Sequence, residues 1–321
     1  MAQFRVLSAA DVSEILTAFG YSPDAYAGHR PIAAGTVNTN VRVDTNQGPR
    51  FLRVNEGKSL DDVAREAAIV DHVARRAGRD LETPVPGRSS SGEPFARWRG
   101  QVVSLFPWLN GRTLQRADVT AGHAHGVGRR LALLHQVGTS FPDRRPGRYE
   151  PPEIDRRLEA IAAVAGSDAA LQDALALLRP ELRALRAERT ADLPSGIIHG
   201  DLFIDNVLFD GDRLVAVLDF EQAAWGRCAY DLAVTMLAFA FGRDDFRPDI
   251  VAALFDGYQI RAITASERQA FGAELRFAAC RFAVTRITDV YLKRGTGAAP
   301  GKDFRRYLQR LERVKHHLAT D

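Results

Sequence analysis

The sequence predicts an α+β protein of two lobes: a small antiparallel-sheet lobe over residues 1–106 and a large, mostly helical lobe over 107–321. Three observations predict it. Apolar residues alternate between turn signals through much of the first hundred residues, as strands require. From about Asn110 the apolar spacing becomes that of helices. One β-rich island, Ile197 to Phe220, interrupts the helical part. With 321 residues, the chain is long enough to bury a core in each lobe.

Each element has its own signal. Ser8-Ala9-Ala10-Asp11 reads as a capping box, Val12, Ile15, Leu16 and Phe19 share one helical face, and Gly20 stops the helix. Ile32 to Gly35 leads into a turn. Val41-Arg42-Val43 and Phe51-Leu52-Arg53-Val54 then read as strands joined by Thr45-Asn46-Gln47-Gly48. A helix is expected from Ser59 to Ala77, ended by Gly78. A Ser-Ser-Ser-Gly turn at 89–92 should join two short strands, followed by an apolar strand from Gln101 to Phe106. A linker at 106–110 leads to helices over His123–His135, Pro152–Val164 and Ala169–Glu188. The last helix runs from Phe304 to Leu318. Two lobes leave a cleft, where ligands preferentially bind.

Composition excludes several classes. Hydrophobic residues make up 45% and charged residues 26%, as in ordinary globular proteins. A net charge of +3 is too small to argue for nucleic acid as a partner. Cys228 and Cys280 give neither a disulfide framework nor zinc spacing, so reduced thiols and a cytoplasmic location are expected. The N-terminus lacks a secretory pattern. The longest apolar run, between Asp231 and Arg243, is about half a membrane span and reads as a buried helix, so no membrane partner is expected. Oligomeric state leaves no trace in the sequence.

The chemistry concentrates in the island. Residues 199–206 read His-Gly-Asp-Leu-Phe-Ile-Asp-Asn, and Asp219 follows in Leu218-Asp219-Phe220-Glu221. Phosphoryl transfer from ATP needs a carboxylate to orient and deprotonate the attacking hydroxyl, and oxygen ligands for magnesium. Asp201 suits the first task. Asn206 and Asp219 suit the second, with Asp210-Gly211-Asp212 as the hairpin turn between their strands.

This pattern resembles the kinase-like phosphotransferases that include aminoglycoside, choline and homoserine kinases. Their signature is H-x-D-x-x-x-x-N followed by an aspartate on the next hairpin. The resemblance implies a protein-kinase-like fold, with a nucleotide-binding N-terminal lobe and a C-terminal lobe carrying the catalytic loop and substrate site. It implies that His199 packs and hydrogen-bonds the loop, and that Asp231 accepts backbone N–H bonds from it. It places the phosphate turn at Gly35-Thr36-Val37-Asn38-Thr39-Asn40. The strand lysine paired with a helix glutamate becomes Arg53 with Glu66, and Lys58 reads as an exposed substitute. Adenine is expected against Val103 to Trp108, with Ser104 and Phe106 beside it and Leu208 and Leu218 as a floor.

Within that superfamily the chain is most similar to the homoserine kinases built on this fold. The similarity is carried by the turn at 35–40, the run His199 to Phe209, and Arg281-Phe282 through Arg286 and Asp289 to Lys302-Asp303-Phe304. It implies ATP and Mg2+ as cofactors, a small hydroxyl-bearing acceptor, and a place in threonine biosynthesis. Homoserine carries an ammonium and a carboxylate. Asp205 can face the first, and Arg281 and Arg286 can face the second. One position departs: Glu221 stands where that family has tyrosine. It resembles the D-F-E of choline and ethanolamine kinases, and reads as a loop acid or a second metal-side carboxylate. Alternatives are phosphotransfer to choline, ethanolamine, an aminoglycoside, or another amino alcohol or sugar. A pseudokinase-like nucleotide-binding module is the non-enzyme alternative.

Overall fold

The computed structural model describes residues 5–32, 38–190, 192–294 and 303–320. The chain forms two compact units. The first comprises residues 1–112 and 215–221, and the second 113–214 and 222–321.

The first unit is built on five antiparallel strands in the order β1-β2-β3-β5-β4. These are β1 (Tyr26–Pro31), β2 (Thr39–Thr45), β3 (Arg50–Asn55), β4 (Ala96–Trp98) and β5 (Gln101–Pro107). Helix α1 (Ala9–Ala18) opens with the expected reciprocal bonds between Ser8 and Asp11. Val12, Ile15 and Leu16 of α1 join Val41, Val43, Leu52, Val54, Val103 and Leu105 in one apolar cluster. Full burial of such a side chain contributes about 1.5–3 kcal/mol. The second helix, α2 (Leu60–Ala77), is capped by Ser59 and Asp62 and ends at Gly78. Its buried stripe is apolar except at Glu66.

The first strand, Tyr26–Pro31, has no strand signal of its own in the sequence and forms because it pairs with β2. One local expectation needs correction: the Ser-rich turn does not join two strands, because among the described residues β4 follows it and no strand leads into it. Gly87 reaches only the Leu105 carbonyl, and β4 instead turns into β5 through Arg99-Gly100.

The second unit holds α3 (Ala121–Gly138), α4 (Pro151–Val164), α5 (Ala169–Glu188), α6 (Cys228–Phe239), α7 (Pro248–Tyr258), α8 (Ala265–Arg286), the short α9 (Leu292–Arg294) and α10 (Arg305–Thr320). A π turn, Ile287–Tyr291, extends α8. The strands β6 (Ser195–Ile198) and β9 (Ala224–Arg227) pair antiparallel on either side of residues 199–223. Between them come β7 (Val207–Asp210) and β8 (Arg213–Val217), a two-stranded sheet along which the chain passes into the first unit. Every residue of α6 is buried, as its apolar run predicts. Among the described residues no helix is long and apolar enough to cross a membrane.

Helices α3 and α7 pack almost backbone to backbone. A Cβ on Gly128 would stand 2.1 Å from the Leu254 carbonyl oxygen, and one on Gly257 would stand 2.0 Å from that of His125. Only glycine permits this approach, and it brings His135 of α3 to Tyr258 of α7.

Candidate active site

In the helical unit, β6 delivers the chain into His199-Gly200-Asp201, and the following turn ends at Asn206. This loop hangs from one buried carboxylate. Asp231, in the first turn of α6, accepts the His199 N–H at 2.7 Å on Oδ2 and the Gly200 N–H at 2.8 Å on Oδ1. Gly200 has φ +73°, and a Cβ there would lie 3.0 Å from the Gln222 carbonyl oxygen, so the bend needs glycine. The Asn206 side chain closes the loop by donating to the Asp201 carbonyl at 2.9 Å. That bond fixes the amide nitrogen and turns Oδ1 away as an oxygen donor.

Asp231 itself is held by His135, whose Nε2 lies 3.1 Å from Oδ2, while Nδ1 lies 2.5 Å from the Tyr258 hydroxyl. All three residues are buried. Burial works to raise the Asp231 pKa, but the His135 hydrogen bond and charge, then His199, pull it below the ordinary carboxylate value. Burial likewise works to lower that of His135. Cys228, Tyr258 and the Asp231 bond outweigh it and hold the imidazole well above its usual range. Both shifts favour an imidazolium against a carboxylate. His135 carries no motif signal in the sequence, and only the α3–α7 packing reveals it.

Beside Asp201 stands Arg281 of α8, with Nη1 3.5 Å from Oδ1. Its guanidinium lies 4.1 Å from the Tyr149 ring centroid and 3.9 Å from that of Phe282. Asp201 keeps a third of its side chain accessible, while Arg281 is buried. Asp205 is exposed on the same loop, and Leu208 lies half-buried on β7. Arg286 lies five residues beyond Arg281 on the same helix, and its charge acts on Arg310 of α10.

In the sheet unit, Arg53 sits centrally on β3, opposite Asn40 of β2 and Ser104 of β5. Its guanidinium bonds Glu66 at 2.7 Å and Glu221 at 2.9 Å. Lys58 bonds the same two carboxylates at 3.3 Å and 3.0 Å. Glu66 and Glu221 thus each bridge both cations. Burial alone would lower the Arg53 pKa, but Glu66, Glu221 and Asp219 raise it. Burial opposes the ionisation of Glu66 in turn, and Arg53 and Lys58 restore it by lowering its pKa. Two sequence readings are corrected here. Lys58 is not exposed, because only 12% of its side chain is accessible. Glu221 is not a plain loop acid, because it completes this network.

Asn38 donates to the Glu221 carboxylate and accepts the Glu56 N–H, and Thr39 bonds Glu56. Ser104 accepts a bond from Asn55, and Phe106 lies 5.0 Å from the Arg53 guanidinium. Gly35 and Thr36 of the expected phosphate turn, and Lys302, lie outside the described residues. Asp219 follows β8 with φ +61°, a left-handed conformation that costs energy for any residue but glycine and concentrates at functional sites. Among the described residues no group of three or more His, Cys, Asp or Glu is gathered to hold a metal. Asn206, in the helical unit, and Asp219, in the sheet unit, each carry a hard oxygen donor of the kind Mg2+ takes.

Residues 28–271 match the phosphotransferase enzyme family. A homoserine kinase of Methylobacterium radiotolerans is 34% identical, covering 100% of this chain and 98% of that protein. The homoserine kinase of Rhizobium meliloti is 31% identical, covering 93% of this chain and 90% of the relative. Among solved structures, a microcompartment-associated aminopropanol kinase superposes with a TM-score of 0.72 at 16% identity, covering 98% of both chains. An amicoumacin kinase in complex with AMP-PNP, Ca2+ and Ami superposes with a TM-score of 0.70 at 13% identity, covering 92% of this chain and 90% of the other. These two likenesses speak for the fold.

Proposed function

The chain belongs to the phosphotransferase enzyme family, and from that premise we propose that it is an ATP- and Mg2+-dependent kinase of L-homoserine. The observation that carries the reaction is the loop at 199–206. It presents a partly accessible carboxylate, Asp201, from a backbone suspended on the buried Asp231. The observation that carries the acceptor is the full-length similarity to homoserine kinases.

In this reading the sheet unit holds the nucleotide. Arg53, kept charged by Glu66 and Glu221, faces the phosphates in place of the usual lysine. Arginine offers a planar fork where lysine offers a point charge. Asn38, Thr39 and Asn40, with Gly35 and Thr36, contact the phosphates, and the β5 segment from Ser104 to Phe106 meets adenine, with Leu208 as its floor. The helical unit supplies the acceptor site and the base. The acceptor hydroxyl gives its proton to the Asp201 carboxylate as its oxygen bonds the γ-phosphorus. The bond from that phosphorus to the bridging oxygen breaks, and ADP leaves. Asn206 and Asp219 would hold Mg2+, which neutralises phosphate charge when bound. Arg281 fixes the Asp201 carboxylate and screens its charge from the incoming phosphates. Asp205 and Arg286 serve the polar groups of the acceptor. The cytoplasm, where ATP is supplied, is the compartment this reading implies.

Glu221 supported a choline-like acceptor in the sequence. Its engagement with Arg53 and Lys58 supports a nucleotide-side task instead. The test is ADP release with Mg2+ across homoserine, choline, ethanolamine, methylthioribose and an aminoglycoside. Strong stimulation by homoserine alone is expected. Stimulation by another compound would refute the acceptor, and stimulation by none would refute the kinase reading as stated.

A further inference from the structure

The helical unit contains two groups of arginines, and they differ in how their charge is met. Arg189 and Arg227 line a cavity of about 370 Å³ with Tyr149, Glu150 and Tyr230. Both are bound to the buried Glu274, at 2.7 Å and 2.9 Å. That cavity therefore offers no surplus positive charge.

The second group lies where α8, α10 and the end of α6 approach the turn at Arg116. Arg310 is 4% accessible. Its guanidinium lies 4.6 Å from the Tyr307 ring centroid and 5.1 Å from that of Phe241. Neither Nε nor Nη1 of Arg310 has a hydrogen-bond partner, and neither does Nε of Arg286. Among the described residues no carboxylate reaches ion-pair distance of either. Arg116 donates to the Ala238 and Phe241 carbonyls at 2.6 Å and 2.7 Å, which meets its hydrogen bonds but not its charge. The groups feel one another. Burial, Arg310 and Arg306 bring the Arg116 pKa down to about 10, opposed by Tyr307 and by Asp205 of the catalytic loop. Burial, Arg306 and Arg286 depress that of Arg310, opposed by Tyr307.

Buried cations with unmet N–H groups are costly unless an anion arrives. Arg53, Arg276 and Arg281 also carry an unpaired Nε, but each has a carboxylate within ion-pair distance, at 2.7 Å, 2.8 Å and 3.5 Å. The Arg310 group has none. It is also close to the chemistry. Arg286 lies about 7.5 Å along the axis from Arg281, at 1.5 Å per residue, and Arg281 touches Asp201. Phe282 stacks on Tyr307 at 5.1 Å and meets Phe203 of the catalytic loop at 5.0 Å.

We propose that Arg116, Arg286 and Arg310 form an anion subsite that takes the α-carboxylate of the acceptor, with Asp205 facing its ammonium. The inference rests on the amino-acid acceptor proposed above. It moves carboxylate recognition from Arg281, which is committed to Asp201, to a group with no acid of its own. The subsite would select an amino acid over the amino alcohol that lacks the carboxylate.

The test compares kcat/KM for L-homoserine with that for 3-aminopropan-1-ol, which keeps the hydroxyl and the ammonium. In wild-type protein the ratio should favour homoserine. In Arg310→Met it should fall by about tenfold to a hundredfold, the worth of a charged hydrogen bond, with Arg310→Lys retaining part of it. An unchanged ratio in folded Arg310→Met and Arg286→Met proteins overturns the subsite. If Arg310→Met does not fold, Arg286→Met decides. Propionate supplies a readout independent of turnover, since it should raise the melting temperature of wild-type protein but not of the variants. If wild-type protein phosphorylates neither compound, the homoserine reading fails, and propionate then decides the subsite alone. Stabilisation lost on substitution supports it. No stabilisation, or stabilisation that survives substitution, overturns it.

Discussion

Replacing Asp231 by Asn tests whether one buried carboxylate shapes the catalytic loop. The exchange conserves volume and removes a charge. In wild-type protein Oδ2 serves the His199 N–H and His135, and Oδ1 serves the Gly200 N–H. An amide has one oxygen. In its better orientation the NH2 group faces the Gly200 N–H, so two donors oppose each other in a buried site. An unsatisfied buried N–H costs about 1–3 kcal/mol. Removing one member of a buried ion pair costs about 3–5 kcal/mol, part of which is the same loss. The net destabilisation should be about 3–5 kcal/mol, a large share of the roughly 5–15 kcal/mol typical of folded domains. For a unit of this size that is a fall of about 6–20 °C in melting temperature. A misplaced loop should also lower kcat by roughly a hundredfold. Thermal unfolding followed by circular dichroism, with coupled ADP release, measures both. A melting temperature within about 2 °C of wild type, with kcat unaffected, would refute the reasoning.

The same pair gives the effect a pH signature. The His135 pKa is raised, so its contribution is complete below the unfolded value near 6.5 and is lost as pH rises through the higher folded value. The Asp231 pKa is depressed, so its contribution is present above the unfolded value near 3.9 and is lost as pH falls through the lower folded value. The gap in stability between wild type and Asp231→Asn should therefore be widest from about pH 4 to beyond pH 6.5. It should narrow in alkali. A gap that widens steadily towards alkaline pH would contradict the charged pair.

Four further outcomes are expected. Asp201→Ala should lower kcat by about 10²–10⁴-fold with little change in ATP affinity; near-full activity removes Asp201 as the base. Glu221→Gln leaves Arg53 and Lys58 sharing one acid, and should raise the KM for ATP about tenfold while sparing that for the acceptor; the reverse pattern would return Glu221 to the acceptor side. Chelation should abolish turnover and Mg2+ restore it, and Asp219→Asn should raise the half-saturating Mg2+ concentration by about tenfold or more; an unshifted metal dependence excludes Asp219 as a ligand. Gly128→Ala forces a methyl group onto the Leu254 carbonyl and should destabilise by about 1–3 kcal/mol or more, read as a lower melting temperature.

The parts legible in the sequence are those encoded over a few residues. Ser8 with Asp11, and Ser59 with Asp62, announce helix starts because a capping box is a four-residue interaction. The run His199 to Asn206 announces a loop whose hydrogen bonds are largely local. The Asn206 to Asp201 bond spans five residues. Helix α6 is apolar but for Asp231 and Thr235, and its burial follows from composition. Tyr26–Pro31 lacks such a signal, and becomes a strand because β2 lies beside it.

What stayed hidden is long-range charge. Glu221 meets Arg53 across 168 positions, and His135 meets Asp231 across 96. Nothing within either neighbourhood distinguishes these residues from a surface acid or a helix histidine. Arg310 is hidden in the same way, while Arg286 is a candidate for the acceptor carboxylate from the sequence onward. In the fold Arg310 faces inward, between aromatic rings, with Arg286 and Arg116 acting on the same space and no acid to pair with it. A charge buried among like charges lowers stability, and among the described residues Tyr307 offsets it only in part and no carboxylate compensates it. An anionic ligand would, and the acceptor carboxylate is the anion that the proposed reaction brings there. The same expenditure of stability that made the group illegible as structure makes it intelligible as specificity: the unpaired N–H groups of the buried Arg310 gain an anion when the acceptor binds.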